Sequence, residues 1–179
     1  MDRSLASRLS LPLHAARPRR MRVTRSRTAA TADTDWKANL VVKQEAISAL
    51  AASLKRVAVL GIKTADKAEQ PAYHVPEYLA AHGVAVVPVP VYYPDVTEIL
   101  GQRVYRRVTD VPGQLDCVCV FRKPEDVTAH VEDILAAKPK CVWLQLGIRN
   151  DAAAEVWAKA GLLVVQDRCL LIEHRRARL

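Results

Sequence analysis

The sequence has few aromatic residues and no long uncharged apolar run. Only one of its 179 residues is Phe, beside three Trp and five Tyr, so the core must be built from Val, Leu, Ile and Ala. No apolar run approaches the roughly 20 residues that a membrane-spanning helix needs. A chain of this length suits one globular domain and is too short for two ordinary ones. We therefore expect a single soluble domain with an aliphatic core.

Acidic residues are almost absent from the first 31 positions. Eight Arg and one acid, Asp2, give this segment a net charge of +7, whereas the remaining residues carry 19 basic against 18 acidic groups, a net +1. An Arg-rich, hydroxyl-rich and acid-poor leader is typical of an organellar transit peptide. The alternative is a basic tail that binds polyanions. Because the basic run stops where Asp33 and Asp35 appear, we expect a transit peptide over 1–31, for the chloroplast or else the mitochondrion, and no nucleic-acid partner.

The four cysteines lack the spacing of a metal site. No C-x-x-C pair and no Cys–His cluster with zinc-ligand spacing occurs in the sequence. Cys117 and Cys119 lie two apart in an apolar run, so they should share one face of a buried strand. Catalytic triads and paired catalytic carboxylates have no visible candidates either. The sequence thus predicts no metal and no catalytic residues.

Short apolar runs alternate with helical patterns along the rest of the chain. The runs cover 56–61, 84–89, 115–121, 140–145 and 162–166, and the helical patterns cover 38–54, 72–81, 124–137 and 151–160. Such alternation predicts an α/β fold: a doubly wound, mostly parallel, five-stranded Rossmann-like sheet with helices on both faces. We place an N-terminal helical segment at 32–55 and the domain at 56–179. Between the second and third runs we expect a short helix at 96–100 and an edge strand at 104–106.

The stretch V-F-R-K-P-E-D (120–126) ends the third apolar run with an aromatic residue and two cations. Ligands of doubly wound sheets bind beyond the carboxyl ends of the strands, where the strand order reverses. If 56–61 is central, that reversal lies between it and 115–121. Phe121, Arg122 and Lys123 would then face the same crevice as Lys63 and Thr64. This pattern favours a phosphorylated ligand that carries a ring.

Two absences argue against a nicotinamide cofactor. The fingerprint G-x-G-x-x-G is missing, because the first Gly after Gly61 is Gly83. No carboxylate for the ribose hydroxyls stands at the end of the second run, where the nearest acid is Asp95. A phosphate loop G-x-x-x-x-G-K is also missing. A ligand with an additional ribose phosphate would need cations and no carboxylate here, and coenzyme A (CoA) meets that description.

Eight short motifs extend this evidence over 56–173. They are V-A-V-L-G at 57, P-A-Y-H-V at 71, V-V-P-V at 86, I-L-G-Q-R-V-Y at 99, D-V-P at 110, V-F-R-K-P-E-D at 120, V-W-L-Q-L-G-I-R-N at 142 and V-V-Q-D-R-C at 164. Their order and spacing resemble those of the small stand-alone CoA-binding proteins, relatives of the CoA-binding domain of the succinyl-CoA synthetase alpha subunit. The resemblance implies a Rossmann-like fold that binds CoA or acyl-CoA without the further domains that carry ligase chemistry.

The resemblance also implies a site. It places Gly61 to Thr64 around the pyrophosphate, Val89 and Pro90 after the second strand, and Phe121 to Lys123 near the adenosine half. The family's Ser and Arg near positions 72 and 74 are replaced here by Ala72 and His74, and its polar residue followed by Pro after the second strand is replaced by Pro90-Val91. The expected ligand-binding residues are Gly61, Ile62, Lys63, Thr64, Tyr73, His74, Val89, Pro90, Phe121, Arg122, Lys123, Gln145, Gly147, Arg168 and Cys169.

Several of these residues have alternative roles. Arg122 and Lys123 could form a solvated strand end, and Gly147 could belong to a helix-entry turn. Arg168 could pair with Asp167, while Cys169 is either a thiolate stabilised beside Arg168 or an inert buried thiol. For the whole protein, the first interpretation is a CoA sensor, carrier or regulatory module. The alternatives are an NAD(P)-binding redox subunit that uses the same crevice, or a scaffold that binds a protein partner through 90–114 or assembles with further copies of itself.

Overall fold

The computed structural model describes residues 35–178, which form a parallel sheet covered by helices on both faces. The strands are β1 (Arg56–Leu60), β2 (Ala85–Val89), β3 (Glu98–Ile99), β4 (Gln102–Arg103), β5 (Cys117–Val120), β6 (Cys141–Leu144) and β7 (Leu163–Val165). The helices are α1 (Gln44–Ser53), α2 (Pro71–Ala81), α3 (Val131–Ala137), α4 (Asp151–Lys159) and α5 (Leu170–Arg176). The predicted leader at 1–31 lies outside the described residues.

The five long strands pair in the order β2-β1-β5-β6-β7, and every pair is parallel. The predicted fold class is therefore confirmed. The order reverses between β1 and β5, as expected from a central first strand. β-branched residues fill these strands because both faces of the sheet are buried, so neither face selects for polar side chains.

Alternate residues of β1 are buried in two separate hydrophobic clusters, one on each face of the sheet. Ala58 and Leu60 pack on the side of α3 and α4, where Trp157 is fully buried. Val57 and Val59 pack on the other side, with side chains of α1, α2 and α5 and with Trp143 of β6. The period of two along a strand produces this division. Both large aromatic rings are core residues, so they do not define the site.

The N-terminal part of the predicted helix 38–54 is wrong. Residues Trp36–Asn39 form a 3-10 helix, 40–43 are extended, and α1 begins only at Gln44. Leu40 makes a parallel bridge to Val164, and the N–H of Val41 donates to the carbonyl of Val164 at 2.9 Å. The apolar residues that suggested a helix stripe instead extend the sheet beyond β7.

The predicted short helix at 96–100 is also wrong, and the edge strand lies earlier than predicted. Residues 98–103 form a small antiparallel hairpin, β3 and β4, in which Glu98 pairs with Arg103. Leu100 and Gly101 make its two-residue turn, and both have positive φ (55° and 69°), as tight hairpins require. The hairpin attaches to the main sheet through the N–H of Tyr105, which donates to the carbonyl of Pro88 at 2.9 Å.

The remaining helices follow the prediction closely. The segment predicted at 124–137 begins as a 3-10 helix, Pro124–His130, and continues as α3. Asn150 caps α4 as expected, because its side-chain oxygen accepts from the N–H of Ala153 at 2.9 Å. Within 35–178, no helix combines the length and apolar character that a membrane span requires.

Candidate functional site

The crevice at the carboxyl ends of β1 and β5 is built on a close backbone contact. Gly61 follows β1 with a φ of 86°, and its N–H donates to the carbonyl of Val89 at 2.8 Å. The carbonyl of Phe121 occupies the position that a Cβ on Gly61 would take. Gly is therefore required both for the conformation and for the approach of the two strand ends. This contact fixes how far apart the loops of the crevice stand.

Three side chains from three different loops meet above that contact. The ammonium of Lys63 lies 4.6 Å from the ring centre of Tyr92, and the guanidinium carbon of Arg122 lies 5.5 Å from the same centre. Arg122 lowers the pKa of the Tyr92 hydroxyl, because a cationic donor nearby stabilises the phenolate. We call Lys63, Tyr92 and Arg122 the cation–tyrosine cluster. It concentrates positive charge beside an aromatic face at the point where the strand order reverses.

Arg122 is not the solvated cation that one reading of the sequence suggested. Its guanidinium pairs with the carboxylate of Asp126 at 2.7 Å, and its side chain is only 11% exposed. The Nε atom is buried and has no hydrogen-bond partner among the described residues. A buried donor without a partner is costly, so this N–H is available to an acceptor such as a phosphate oxygen. Lys123, in contrast, is exposed.

A cleft of about 690 Å³ begins at Arg122 and runs toward α5. It brings together six of the predicted residues: His74, Phe121, Arg122, Lys123, Gln145 and Cys169. The other lining residues are mostly apolar or small: Gln70, Pro71, Ala72, Val75, Pro124, Leu146 and Ile148. Charge is thus concentrated at the β1–β5 end of the cleft, and the end near Cys169 is largely apolar.

Gln145 organises the far end of this cleft. Its amide nitrogen lies 3.0 Å from the sulfur of Cys119, and its side-chain oxygen accepts from the N–H of Leu170 at 3.2 Å. Burial raises the pKa of the Cys119 thiol to about 12, so that cysteine stays protonated. Cys169 is half-buried at the start of α5 and faces the cleft. Of the four thiols, it is the one that a ligand in the cleft can approach.

The structure does not bring every predicted residue into the cleft. Ile62, Tyr73 and Val89 are buried, and the hydroxyl of Thr64 bonds to Asp66. Gly147 donates its N–H to the carboxylate of Asp167 at 2.7 Å. The suggested pairing of Asp167 with Arg168 does not occur among the salt bridges of residues 35–178, and Arg168 is exposed. Tyr92 and Asp126 were not predicted, although Tyr92 stands three residues after the end of β2 and Asp126 four residues after Arg122.

A second concavity, of about 520 Å³, lies on the other side of Tyr92. Pro90 lines it, together with Arg106, Arg107 and His130. Arg106 stabilises the loop after β2, because its guanidinium donates to the carbonyls of Tyr93, Pro94 and Val96. Burial, aided by the charge of Arg122, lowers the pKa of His130, so its imidazole is neutral at pH 7. The cation–tyrosine cluster therefore stands between two clefts.

This geometry is that of an α/β Rossmann-like domain with two cations and an aromatic ring at its switch point, and no group of three or more potential metal ligands occurs in the described part of the chain. The model of the CoA binding domain matches residues 55–175, and the chain belongs to that family.

Several known proteins are similar to this chain. The chain is 28% identical over 120 residues to the uncharacterized protein YneT of Bacillus subtilis (strain 168), which covers 67% of this chain and 85% of YneT. It is 34% identical to the Thermus thermophilus protein called cell-free ID.343, with a TM-score of 0.68, over 76% of this chain and 99% of the other. A hypothetical protein of Pyrococcus horikoshii OT3 is 30% identical, with a TM-score of 0.68, over 77% and 94% of the two chains.

Proposed function

We propose that this protein binds CoA noncatalytically across the switch point, as a sensor, carrier or regulatory module. The observation that carries the proposal is the cation–tyrosine cluster next to the apolar 690 Å³ cleft. Phosphates would lie against Lys63 and Arg122, and the uncharged pantetheine arm would lie in the cleft with its thiol toward Cys169. A cleft of this size is within the range of ordinary ligand sites, roughly 300–1,000 Å³.

The adenosine half fits the second concavity. A neutral His130 and the exposed Arg107 border it, and the ring of Tyr92 forms part of its wall. The residues that follow β2 carry no carboxylate before Asp95, which is exposed. Glu132 and Asp133 also line the concavity, and Asp133 is already paired with Arg107 at 3.2 Å. The preference for CoA over NADH therefore rests on the end of β2, where a ribose with free hydroxyls would lack its usual carboxylate partner.

Calorimetric titration of the full chain with CoA, dephospho-CoA and NADH tests the proposal. We expect CoA to bind most tightly and dephospho-CoA more weakly, because it lacks the ribose phosphate. NADH binding in the absence of CoA binding would replace the proposal with the redox alternative.

We further propose that residues 1–31 direct the protein to the chloroplast, with the mitochondrion as the alternative. The support is their composition, eight Arg against one acid. Mass spectrometry of the protein from its native tissue should then find no peptides from 17–27. Recovery of those peptides in quantity from purified organelles would contradict the proposal.

A further inference from the structure

Three concavities follow one another at the carboxyl ends of β6 and β7. Leu146 lines all three: the 690 Å³ cleft, a small hollow of about 210 Å³, and a cavity of about 650 Å³. Cys169 stands between the cleft and the hollow, and Arg168 between the hollow and the cavity. A ligand that reaches Cys169 therefore has a continuous surface ahead of it. We call the 650 Å³ space the edge cavity.

Exposed apolar side chains mark this route. Val42 is 75% exposed, Leu146 66% and Ile172 49%. These are three of the six large apolar side chains that are exposed among the described residues, and each lines the hollow or the edge cavity. Apolar surface gathered in one place favours an apolar ligand, because covering it removes it from water.

The N-terminal segment forms the outer wall of the edge cavity. Trp36, Leu40, Val41 and Val42 line it from one side, and Val164 and Ala154 line it from the other. The side-chain amide of Asn39 holds this segment by donating to the carbonyl of Ala158 at 2.9 Å. The wall lies outside residues 55–175, the part of the chain that matches the family. The outer wall of the edge cavity is thus built by residues that precede the segment matched by the family model.

The polar groups around the edge cavity largely bond to one another. Arg149 pairs with Asp151 at 2.8 Å, and the side-chain amide of Gln166 donates to the same carboxylate at 3.0 Å. Asp167 accepts from the backbone N–H of Gly147. These groups are satisfied without a ligand, so a hydrocarbon chain that covers the apolar wall leaves their hydrogen bonds intact.

We propose that the preferred ligand is an acyl-CoA of medium or long chain, whose acyl group leaves the cleft at Cys169, crosses Leu146 and lies in the edge cavity. The thioester then sits beside Cys169 and no bond is made or broken. This inference rests on the proposed CoA site, since it needs the thiol end of CoA at that position. The N-terminal segment is the element that selects chain length.

The test is a calorimetric titration of the full chain with CoA and with acetyl-, hexanoyl-, octanoyl- and decanoyl-CoA, below their micellar concentrations. We expect affinity to rise by about tenfold for every two methylenes that are buried, and then to level off when the cavity is full. Equal affinity for all five ligands would overturn the inference and leave the CoA proposal standing. If none of them binds, the CoA proposal itself fails.

Tryptophan fluorescence can show whether the acyl group lies in the edge cavity. Of the three Trp, Trp143 and Trp157 are fully buried, and Trp36 alone is partly exposed and lines the edge cavity. Decanoyl-CoA should therefore shift the emission of Trp36, and CoA should not. An identical response to the two ligands would place the acyl group elsewhere and contradict the inference.

Two matched substitutions distinguish binding in the edge cavity from nonspecific binding of the acyl chain to the protein surface. Val42→Asp puts a charge on the wall, and Val156→Asp puts one on the exposed face of α4, at a residue that lines none of the three concavities. We expect Val42→Asp to lower decanoyl-CoA affinity at least tenfold with CoA affinity unchanged, and Val156→Asp to change neither. Because both side chains are exposed, both variants should fold, which thermal melting checks. Equal effects of the two variants would overturn the inference.

Discussion

Arg122, just after the end of β5, forms an ion pair with Asp126 in the first turn of the following 3-10 helix, with 2.7 Å between nitrogen and oxygen. The pair holds a mostly buried guanidinium so that its Nε–H has no acceptor among residues 35–178. Asp126 thus positions the cation without neutralising every donor. This relationship gives Arg122 a structural partner and leaves one of its donors for a ligand in the proposed site, and it separates Arg122 from the exposed Lys123.

The first prediction concerns this pair. Arg122→Ala should weaken CoA binding by tenfold or more, because a hydrogen bond to a charged group contributes roughly 1.5–3 kcal/mol. It should also lower the melting temperature, since Asp126 loses its partner. Lys123→Ala should leave the melting temperature unchanged. Asp126→Asn is the control: it removes the negative charge but keeps a side-chain oxygen that can accept from Arg122, so the cation stays in place and CoA affinity should persist. Intact CoA affinity in Arg122→Ala would show that the cation is structural alone.

The second prediction concerns Gly61 and uses Gly83 as its matched control. Both have a φ of 86°, but nothing lies within 4 Å of a Cβ on Gly83, whereas the Phe121 carbonyl fills that place at Gly61. Gly83→Ala should cost roughly 1–2 kcal/mol for the strained conformation alone. Gly61→Ala should cost clearly more and should weaken CoA binding, because the β1 and β5 ends must separate. Urea denaturation measures the stability cost of each variant, and equal costs at Gly61 and Gly83 would contradict the close contact between Gly61 and the Phe121 carbonyl.

The third prediction concerns pH. Burial, followed by the charges of Arg178, His82 and Lys55, lowers the pKa of His174. The unfolded imidazole titrates near 6.5 and the folded one lower, so the stabilising contribution is complete above pH 6.5 and is lost as pH falls below it. His174→Gln should therefore flatten the fall in unfolding free energy between pH 6.5 and 5.

Asp116 provides a control that distinguishes the effect of His174 from general acid denaturation. The hydrogen bond from Lys140 lowers the pKa of Asp116 from 3.8, so its contribution disappears only as pH falls below about that value. Asp116→Asn should leave the slope between pH 6.5 and 5 unchanged. An unaltered slope in His174→Gln would show that His174 does not couple folding to protons.

The fourth prediction concerns the junction of α4 with the helix that precedes α3. Asn150 caps α4, and its side-chain nitrogen also donates to the carbonyl of Pro124 at 2.9 Å and to the hydroxyl of Thr128 at 3.2 Å. Asn150→Ala should cost about 1–2 kcal/mol for the cap, and somewhat more for the lost donors. Asn150→Asp keeps the acceptor for Ala153, so it should fall between wild type and Ala in urea denaturation. An Ala variant as stable as wild type would contradict this.

The fold was predictable because burial on both faces leaves a simple pattern of short aliphatic runs. The N-terminal segment was not predictable, because Leu40 and Val41 pair with Val164, more than 120 residues away in the sequence. The local spacing of apolar residues does not reveal so distant a partner. The hairpin at 98–103 depends on a turn in which Leu100 has positive φ, an uncommon choice for a branched side chain.

The candidate site was predictable in part for a similar reason. Residues at strand ends, such as Phe121 and Arg122, follow from the topology alone. Tyr92 reaches the crevice only because the loop after β2 folds back over it, with Arg106 binding three of the loop's carbonyls. The environment of Arg122 was missed because the pairing with Asp126 depends on the helical turn that begins at Pro124.

The two outer edges of the sheet already have partners within the chain. At the β7 edge, the N–H of Val41 donates to the carbonyl of Val164. At the β2 edge, the N–H of Tyr105 donates to the carbonyl of Pro88, and Pro88 itself has no N–H. Free strand edges are where one copy of a β protein can recruit the next. Here each edge strand already has one backbone carbonyl bonded within the chain, so each edge offers a second copy fewer open groups for strand addition.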